Sequence, residues 1–138
     1  MAGGKKKNIN CIIDRNNSTD TINVCSQIKL SNMETKRFGF KMKMLPGFKE
    51  EYKKRHSEIW PELVLLLKNE GIGNYSIFLD EETNTLFAYQ EQSGESSSQD
   101  LGNTEVVKKW WKFMADIMET NADNSPVTIP LEQVFYME

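Results

Sequence analysis

Residues 37–47 read RFGFKMKMLPG, and this stretch decides the fold. Its apolar residues stand at every second position from Phe38 to Met44, so they share one face. A period of two is typical of a strand that is buried on one side. The Pro-Gly pair that follows favours a turn. The sequence therefore predicts a half-buried strand over 37–45.

A helix is predicted after this turn, over about 48–69. Tyr52, His56 and Trp60 recur every four residues, beside a stripe of leucines that would face a core. Pro61 predicts a kink or a division into two helices, because a proline inside a helix removes a hydrogen bond.

The remaining pattern completes an α+β order of elements. Residues 72–79 and 85–92 indicate a hairpin, 93–103 a Ser- and Gly-rich loop or a poorly formed helix, 105–118 an amphipathic helix, and 134–137 a closing strand. The order β-α-β-β-α-β is that of the ferredoxin-like fold, an antiparallel sheet with both helices on one face. Because the other face is left open, we expect two chains to associate sheet against sheet.

Residues 1–34 differ from the rest of the chain. They are rich in Asn, Ser, Thr and Lys, and such a segment buries little apolar surface. We expect a flexible N-terminal extension here, followed by one domain over 35–138. Cys11 and Cys25 are isolated and form no CxxC motif, which favours free thiols in a reducing compartment.

Charge and hydropathy narrow the class of protein. The net charge is −3, which disfavours a general nucleic-acid or membrane surface. No apolar run approaches the ~20 residues of a membrane span, and no apolar region follows the basic start as in a signal peptide. A cytoplasmic protein that binds neither nucleic acid nor membranes is expected.

Motifs for metals and cofactors are missing. The sequence has no glycine-rich phosphate loop, dinucleotide fingerprint or His/Cys/carboxylate cluster with metal spacing. What remains is one histidine, several aromatic residues and some hydroxyl groups. That inventory suits an isomerisation that needs only proton transfer, with no metal and no cofactor.

His56 is the only histidine in the chain, and it lies four residues from both Tyr52 and Trp60. Side chains at this spacing project from one helical face. Aromatic rings can pack against the C–H face of a sugar, while imidazole and phenol groups handle hydroxyls and protons. The pattern is equally that of two core aromatics with a histidine at the edge of the core.

Other aromatic and polar residues are candidates for the same site. Trp110 and Trp111 point about 100° apart on a helix, so one can face the core and the other a pocket, or one can be partly exposed. The hydroxyl of Tyr75, in the second strand, would meet that of Tyr52 if their elements converge. Residues 123–125 (DNS) are either ligand contacts or a plain turn.

Five segments of the chain resemble the L-rhamnose mutarotase family. The resemblance runs from residue 37 to the C-terminus and combines Tyr-x-x-x-His-x-x-x-Trp-Pro with later Trp-Trp and Asp-Asn-Ser-Pro motifs. The segments are EEYKKRHSEIWPEL (50–63), GIGNYSIFLD (71–80), KKWWKFMADIM (108–118), NADNSPV (121–127) and VFYM (134–137).

The resemblance implies both a function and a site. Members of the family are small homodimers with the ferredoxin-like fold, a dimeric α/β barrel, and they change the anomeric configuration of L-rhamnose without a cofactor. By resemblance His56 is the acid/base residue, and Tyr52, Tyr75, Trp110 and Trp111 contact the sugar. L-fucose or another 6-deoxyhexose is an alternative substrate.

The chain also departs from the family pattern. The extension over 1–34 is not a family feature. Residues 93–103 (SGESSSQDLGN) replace a stretch that we expect to be more helical and to contain an aromatic residue. This change is expected to alter access to the pocket or the sugar preference.

Two other classes of function remain open on the sequence. One is another activity of the dimeric ferredoxin-like fold, such as a cofactor-free monooxygenase or a haem protein with His56 as axial ligand. The other is a sugar-binding or interaction module that binds L-rhamnose without catalysing anomer exchange.

Overall fold

Four strands form one antiparallel sheet in the computed structural model, which describes residues 34–138. The predicted extension over 1–34 lies outside the described residues, apart from Glu34. The strands are β1 (Lys36–Lys43), β2 (Ile72–Asp80), β3 (Thr85–Gln92) and β4 (Ile129–Leu131), and the helices are α1 (Lys49–Ser57), α2 (Pro61–Asn69) and α3 (Glu105–Met114).

The order of strands across the sheet is β2-β3-β1-β4. Strand β3 is antiparallel to both of its neighbours, so β1 and β2 run parallel and are joined by a crossover through α1 and α2. Strand β4 pairs antiparallel with the other edge of β1. This is the ferredoxin-like arrangement. The fold class predicted from the sequence is confirmed.

The first helical stretch is divided into two helices, one of the two outcomes that Pro61 predicts. Helix α1 ends at Ser57, and Pro61 opens α2 at a position where a proline costs no hydrogen bond. Trp60, the residue before the proline, has an extended backbone (φ −64°, ψ 130°), as a following proline requires.

The closing strand lies earlier than the sequence predicted, and its assignment to 134–137 is wrong. The fourth strand is Ile129–Leu131, in which Pro130 stands opposite Phe40 of β1. A proline is tolerated there because β4 is an edge strand of the sheet that residues 34–138 form. Residues 134–137 form no regular element, and Val134 is 89% exposed.

The second long helix is shorter than predicted. Helix α3 ends at Met114 and tightens into a 3-10 turn over Ala115–Ile117. Met118 then takes an extended conformation and forms a bridge with Met44. The preceding Ser-rich stretch is a loop with one short 3-10 turn, Ser98–Asp100, which agrees with its prediction.

The two faces of the sheet differ in burial. The inner face, which carries Phe40, Met42 and Leu86, packs against the helices and is almost completely buried. The outer face carries apolar side chains that remain exposed among the described residues: Phe78 (67%), Ile129 (51%), Phe87 (41%) and Leu131 (41%). The open face predicted from the sequence is present.

Candidate active site

A pocket of about 530 Å³ lies between the three helices and the inner face of the sheet. All five predicted site residues line it: Tyr52, His56, Tyr75, Trp110 and Trp111. Much of the remaining wall is apolar and includes Met42, Leu63, Leu67, Ile77, Val107, Met114 and Met118. The volume is in the range of ordinary small-molecule sites, roughly 300–1,000 Å³.

The imidazole of His56 is held between two aromatic rings. It stacks on Tyr52 with the ring centroids 4.3 Å apart and the planes 21° apart. It meets Trp110 edge to face, with the centroids 5.4 Å apart. The first contact follows from the i, i+4 spacing on α1, and the second brings α3 against α1. The ring therefore has few orientations open to it.

A hydrogen bond to the backbone defines the role of each His56 nitrogen. Nδ1 lies 3.1 Å from the carbonyl oxygen of Tyr52. Because a carbonyl only accepts, we assign the proton of neutral His56 to Nδ1, and Nε2 then carries the free lone pair. Burial lowers the pKa of His56 from its ordinary value, and the hydrogen bond to Tyr52 opposes this shift. The histidine is therefore mainly a neutral base near pH 7.

Both tryptophans are buried and both border the pocket, so the expectation that one of them is partly exposed is not met. Trp111 covers Gly102 so closely that a Cβ added there would lie 2.5 Å from its ring. Trp60 packs behind Trp110, with ring centroids 5.2 Å apart, and does not join the pocket lining. Its role is to support the wall.

Tyr52 and Tyr75 both line the pocket, as they would if their elements converge. Burial raises the pKa of Tyr52, and the neighbouring Tyr75 raises it further. Burial also raises the pKa of Tyr75, while a hydrogen bond with the Ser98 side chain acts in the opposite direction. Both phenols are neutral at pH 7 and able to donate a hydrogen bond. Tyr75 is 36% exposed, and it is one of the residues that line the pocket.

Ser98 and Gln99 also line the pocket, and the sequence reasoning did not name them. They lie in the Ser-rich stretch that departs from the family pattern. The departure itself was the available signal, because a polar replacement in a wall of the site changes what the site can bind. Gln90, the hydrogen-bond partner of Ser98, alternates with apolar residues of β3, and only the sheet register places it under Ser98.

Arg55 is a second residue that the sequence reasoning missed. Its guanidinium makes two hydrogen bonds to the Asp116 carboxylate (2.7 and 3.1 Å) and one to the Phe113 carbonyl (2.6 Å). It also pairs with Glu51 one turn earlier, at 2.9 Å. The arginine thus fastens α1, which carries His56, to the end of α3.

Residues 123–125 are occupied by their own turn. The Ser125 N–H donates to Asp123, the Asn121 N–H donates to the Ser125 carbonyl, and Asn124 has a positive φ of 67°. The neighbouring Pro126 reaches the pocket, whereas the three turn residues do not line it. Of the two readings of this segment, the structure supports the plain turn.

Within residues 34–138, no group of three His, Cys, Asp or Glu side chains is placed to hold a metal ion. In the same part of the chain, no helix is both long and apolar enough to cross a membrane.

The fold is that of a ferredoxin-like α+β domain with an aromatic pocket around one histidine, and the comparisons with known proteins name the family. A model of the L-rhamnose mutarotase family matches residues 37–137, and the chain belongs to that family.

Individual relatives of this chain carry the name of the same family. The L-rhamnose mutarotase of Formosa agariphila is 66% identical over 102 residues, which cover 74% of this chain and 98% of that protein. That of Bacteroides thetaiotaomicron is 61% identical over 103 residues, 75% and 99% of the two chains. A crystal structure of the Formosa agariphila L-rhamnose mutarotase has a TM-score of 0.70 and 63% identity, covering 75% of this chain and 99% of that one.

Proposed function

We propose that this protein is a mutarotase that interconverts the α and β anomers of L-rhamnose, or of a related 6-deoxyhexose, by general acid–base catalysis. One observation carries the proposal beyond family membership. The single histidine lies in the wall of an aromatic pocket, with Nδ1 engaged by a backbone carbonyl and Nε2 left for a substrate.

The chemistry requires that the sugar ring opens and closes again. Neutral His56 takes the proton of the anomeric hydroxyl through Nε2 while the bond between C1 and the ring oxygen breaks. The imidazolium then delivers this proton to the ring oxygen, so no net proton is consumed. After the aldehyde rotates, the same steps in reverse close the ring on its other face. Such catalysis typically contributes ~10²- to 10⁴-fold.

The remaining site residues are proposed to hold the sugar. Trp110, Trp111 and the ring of Tyr52 offer flat apolar surfaces to its C–H faces and to the methyl group of a 6-deoxyhexose. The hydroxyls of Tyr52 and Tyr75 are neutral donors for its oxygens. Orientation of this kind lowers the barrier further, because the reacting atoms are held together.

A homodimer is part of the proposal. The outer face of the sheet exposes Phe78, Phe87, Ile129 and Leu131, and a second copy that packs on this face would remove their apolar surface from water. Sedimentation at micromolar concentration is expected to give about twice the chain mass of 16.0 kDa. Phe78→Lys on the outer face would shift the protein towards a monomer, and an active wild-type monomer would contradict the dimer.

We also propose that the protein works in the cytoplasm and without a cofactor. The isolated spacing of Cys11 and Cys25 supports a reducing compartment. The proton-transfer scheme uses only groups of the chain itself, which supports catalysis without a cofactor.

Saturation-transfer NMR on a panel of aldoses tests the function. The protein should speed α/β exchange of L-rhamnose well above the spontaneous rate, and L-fucose and D-glucose serve as comparison sugars. Binding without faster exchange would indicate a sugar-binding module instead. A Soret band in the absorbance of the purified protein would indicate the haem alternative.

A further inference from the structure

Gln99 is the one amide side chain among the described residues that line the pocket. It lies in the short 3-10 turn Ser98–Asp100 and is half-buried. The rest of the wall consists mostly of apolar side chains, phenols and indoles. An amide differs from these groups because it has both N–H donors and a carbonyl acceptor. The hydrogen bonds of Gln99 therefore show what it can still offer to a ligand.

The turn that carries Gln99 is fixed from below by a buried side chain. Gln90 is completely buried on the inner face of β3, and its Oε1 accepts from the backbone N–H of Ser98 at 2.9 Å. Its Nε2 donates to Oγ of Ser98 at 2.7 Å. Because one amide makes two hydrogen bonds to the same residue, Ser98 has little freedom to move and offers Gln99 a fixed partner.

The amide of Gln99 is itself held at both ends. Its Nε2 donates to Oγ of Ser98 at 3.2 Å, and its Oε1 accepts from the hydroxyl of Thr128 at 3.1 Å. Thr128 comes from a distant part of the chain, just before β4. These two contacts order the side chain before a ligand arrives, and a side chain that is already ordered loses less entropy on binding.

Two hydrogen-bonding positions of this amide are unused among the described residues. The NH2 group has two hydrogens, and one of them is donated to Ser98. The carbonyl oxygen has two lone pairs, and Thr128 uses one of them. The Thr128 hydroxyl also lies 3.1 Å from the carbonyl oxygen of Pro126, so a reversed amide could donate to Thr128 instead. The reversed amide would still leave one N–H and one lone pair free.

A free donor and a free acceptor side by side in one plane match two neighbouring hydroxyl groups on a sugar ring. One hydroxyl oxygen accepts from the N–H, and the next hydroxyl donates to the carbonyl oxygen. Asn and Gln bind the edge of an adenine base through the same planar pair of hydrogen bonds. A single isolated hydroxyl would leave one position of the amide without a partner, which weakens binding in a partly desolvated site.

We propose that Gln99 is a specificity-determining residue that binds two neighbouring hydroxyls of the sugar through its amide. This inference rests on the proposed function and names the part of the substrate that this wall recognises, a vicinal diol. L-rhamnose and L-fucose differ in the configuration of their ring hydroxyls. A residue that binds a pair of hydroxyls therefore separates the two sugars, because the wrong configuration leaves polar groups of the site unpaired.

Binding of L-rhamnose analogues to Gln99→Met tests the two contacts. Methionine keeps the length of glutamine but has no N–H donor and only a weak acceptor. The Kd for L-rhamnose from tryptophan fluorescence should rise about 10- to 30-fold, the scale of two hydrogen bonds. Four analogues, each without the hydroxyl at C1, C2, C3 or C4, are compared in the same way. For two of them, whose missing hydroxyls are neighbours, the loss should shrink to about 3- to 5-fold.

Ser97→Ala is the matched control for the turn. The Ser97 hydroxyl accepts from the Gln99 backbone N–H and donates to the Asp100 carboxylate, and Ser97 does not line the pocket. Its replacement loosens the turn while the amide stays intact, so Kd should change by less than about threefold. Thermal unfolding shows whether each variant is folded, and Gln99→Leu replaces Gln99→Met if that variant does not fold.

The possible results are distinct. An equal loss for L-rhamnose and all four analogues would overturn the inference, as would a loss in Ser97→Ala as large as that in Gln99→Met. A smaller loss for one analogue alone would overturn the binding of two hydroxyls. Wild-type protein that binds L-rhamnose without faster exchange would overturn the proposed function alone, because Kd would still report on Gln99. Wild-type protein that does not bind L-rhamnose would overturn both.

Discussion

Arg55 donates two hydrogen bonds to the carboxylate of Asp116, 61 residues later in the sequence: Nη1 to Oδ1 at 2.7 Å and Nη2 to Oδ2 at 3.1 Å. One partner precedes His56 in α1, and the other follows Trp110 by less than two turns. The edge-to-face contact between His56 and Trp110 therefore lies beside a fixed joint between the two helices. The geometry of the site depends on that joint as well as on the residues that line the pocket.

Loss of this joint should lower stability more than loss of a single ion pair on a helix surface. Asp116→Asn removes the charge of a two-point contact to an arginine that is 12% exposed, and we expect a cost of about 1 kcal/mol in the free energy of unfolding. Glu51→Gln, the matched control, removes an i, i+4 pair with the same arginine and should cost about 0.3–0.5 kcal/mol. Urea unfolding followed by fluorescence measures both. Equal costs in the two variants would mean that the contact between Arg55 and Asp116 stabilises the fold no more than the i, i+4 pair does.

His56→Asn is expected to keep the fold and most of the sugar affinity. Asparagine retains hydrogen bonding but cannot take up and release a proton near neutral pH. The catalysed exchange rate should fall by roughly 10²-fold or more, the scale of general acid–base catalysis. Tyr52→Phe should cost less if its hydroxyl only positions the sugar. A folded His56→Asn protein with the wild-type rate would refute the role of the histidine.

The catalysed rate should decline in acid with a midpoint below the ordinary histidine pKa of about 6.5, because burial lowers the pKa of His56. Above that value the histidine is neutral and the rate should be flat to about pH 8. Exchange rates measured from pH 4.5 to 8 give the profile. A midpoint above 6.5 would contradict a buried neutral base.

The free energy of unfolding should also depend on the protonation of His56. Between the lowered pKa and about pH 6.5, the unfolded chain binds more protons than the folded one. The stability linked to neutral His56 is therefore complete above pH 6.5 and is lost as the pH falls through the lowered pKa. The difference in unfolding free energy between wild type and His56→Asn should therefore change in that window. A difference that does not vary with pH would show that the histidine has the same pKa in both states.

Gly102→Ala should disturb Trp111. The added Cβ would lie 2.5 Å from the indole, so the ring or the loop has to move. We expect a shift in tryptophan fluorescence, weaker sugar binding and a stability loss of about 1–3 kcal/mol, as for other overpacked sites. Gly73→Ala is the control, since its Cβ would meet nothing within 4 Å. Wild-type affinity together with a shifted tryptophan fluorescence would show that the ring has moved without loss of binding and would argue against Trp111 as a sugar contact.

Residues 1–34 should be dispensable for catalysis. They precede the region that matches the family, which begins at residue 37. A truncated chain that starts at Met33 is expected to keep its exchange rate in the NMR assay. A tenfold loss would place the extension in the pocket or in an interface between copies.

The sequence predicted the parts of the fold that have a clear period. The alternation from Phe38 to Met44 and the hairpin strands correspond to β1, β2 and β3 within about two residues. The last strand was misplaced because apolar residues at 134–137 look like a strand, while Pro130 discourages one. A proline is acceptable only at an edge, and the edge position of β4 depends on the order of strands, which local pattern does not reveal.

The residues of the candidate site also divide into those that the local sequence pattern predicted and those that it did not. Helical spacing predicted that Tyr52 and His56 lie together, and Tyr75, Trp110 and Trp111 were candidates from their positions in a strand and a helix before the family resemblance marked them. Gln90, Ser98 and Arg55 were missed because their partners are distant in the sequence, 8 and 61 residues away for Gln90–Ser98 and Arg55–Asp116. Contacts of that kind depend on tertiary packing.

The two borders of the sheet bear on how copies of this chain can aggregate. One border is β4, three residues long with Pro130 at its centre, which has no N–H to offer another strand. The other is β2, whose ladder is interrupted between Gly73 and Ser76. Neither border presents a long regular row of backbone donors and acceptors on which further chains could stack. The exposed phenylalanines of the outer face can therefore favour a closed pair of subunits while growth into fibrils is hindered.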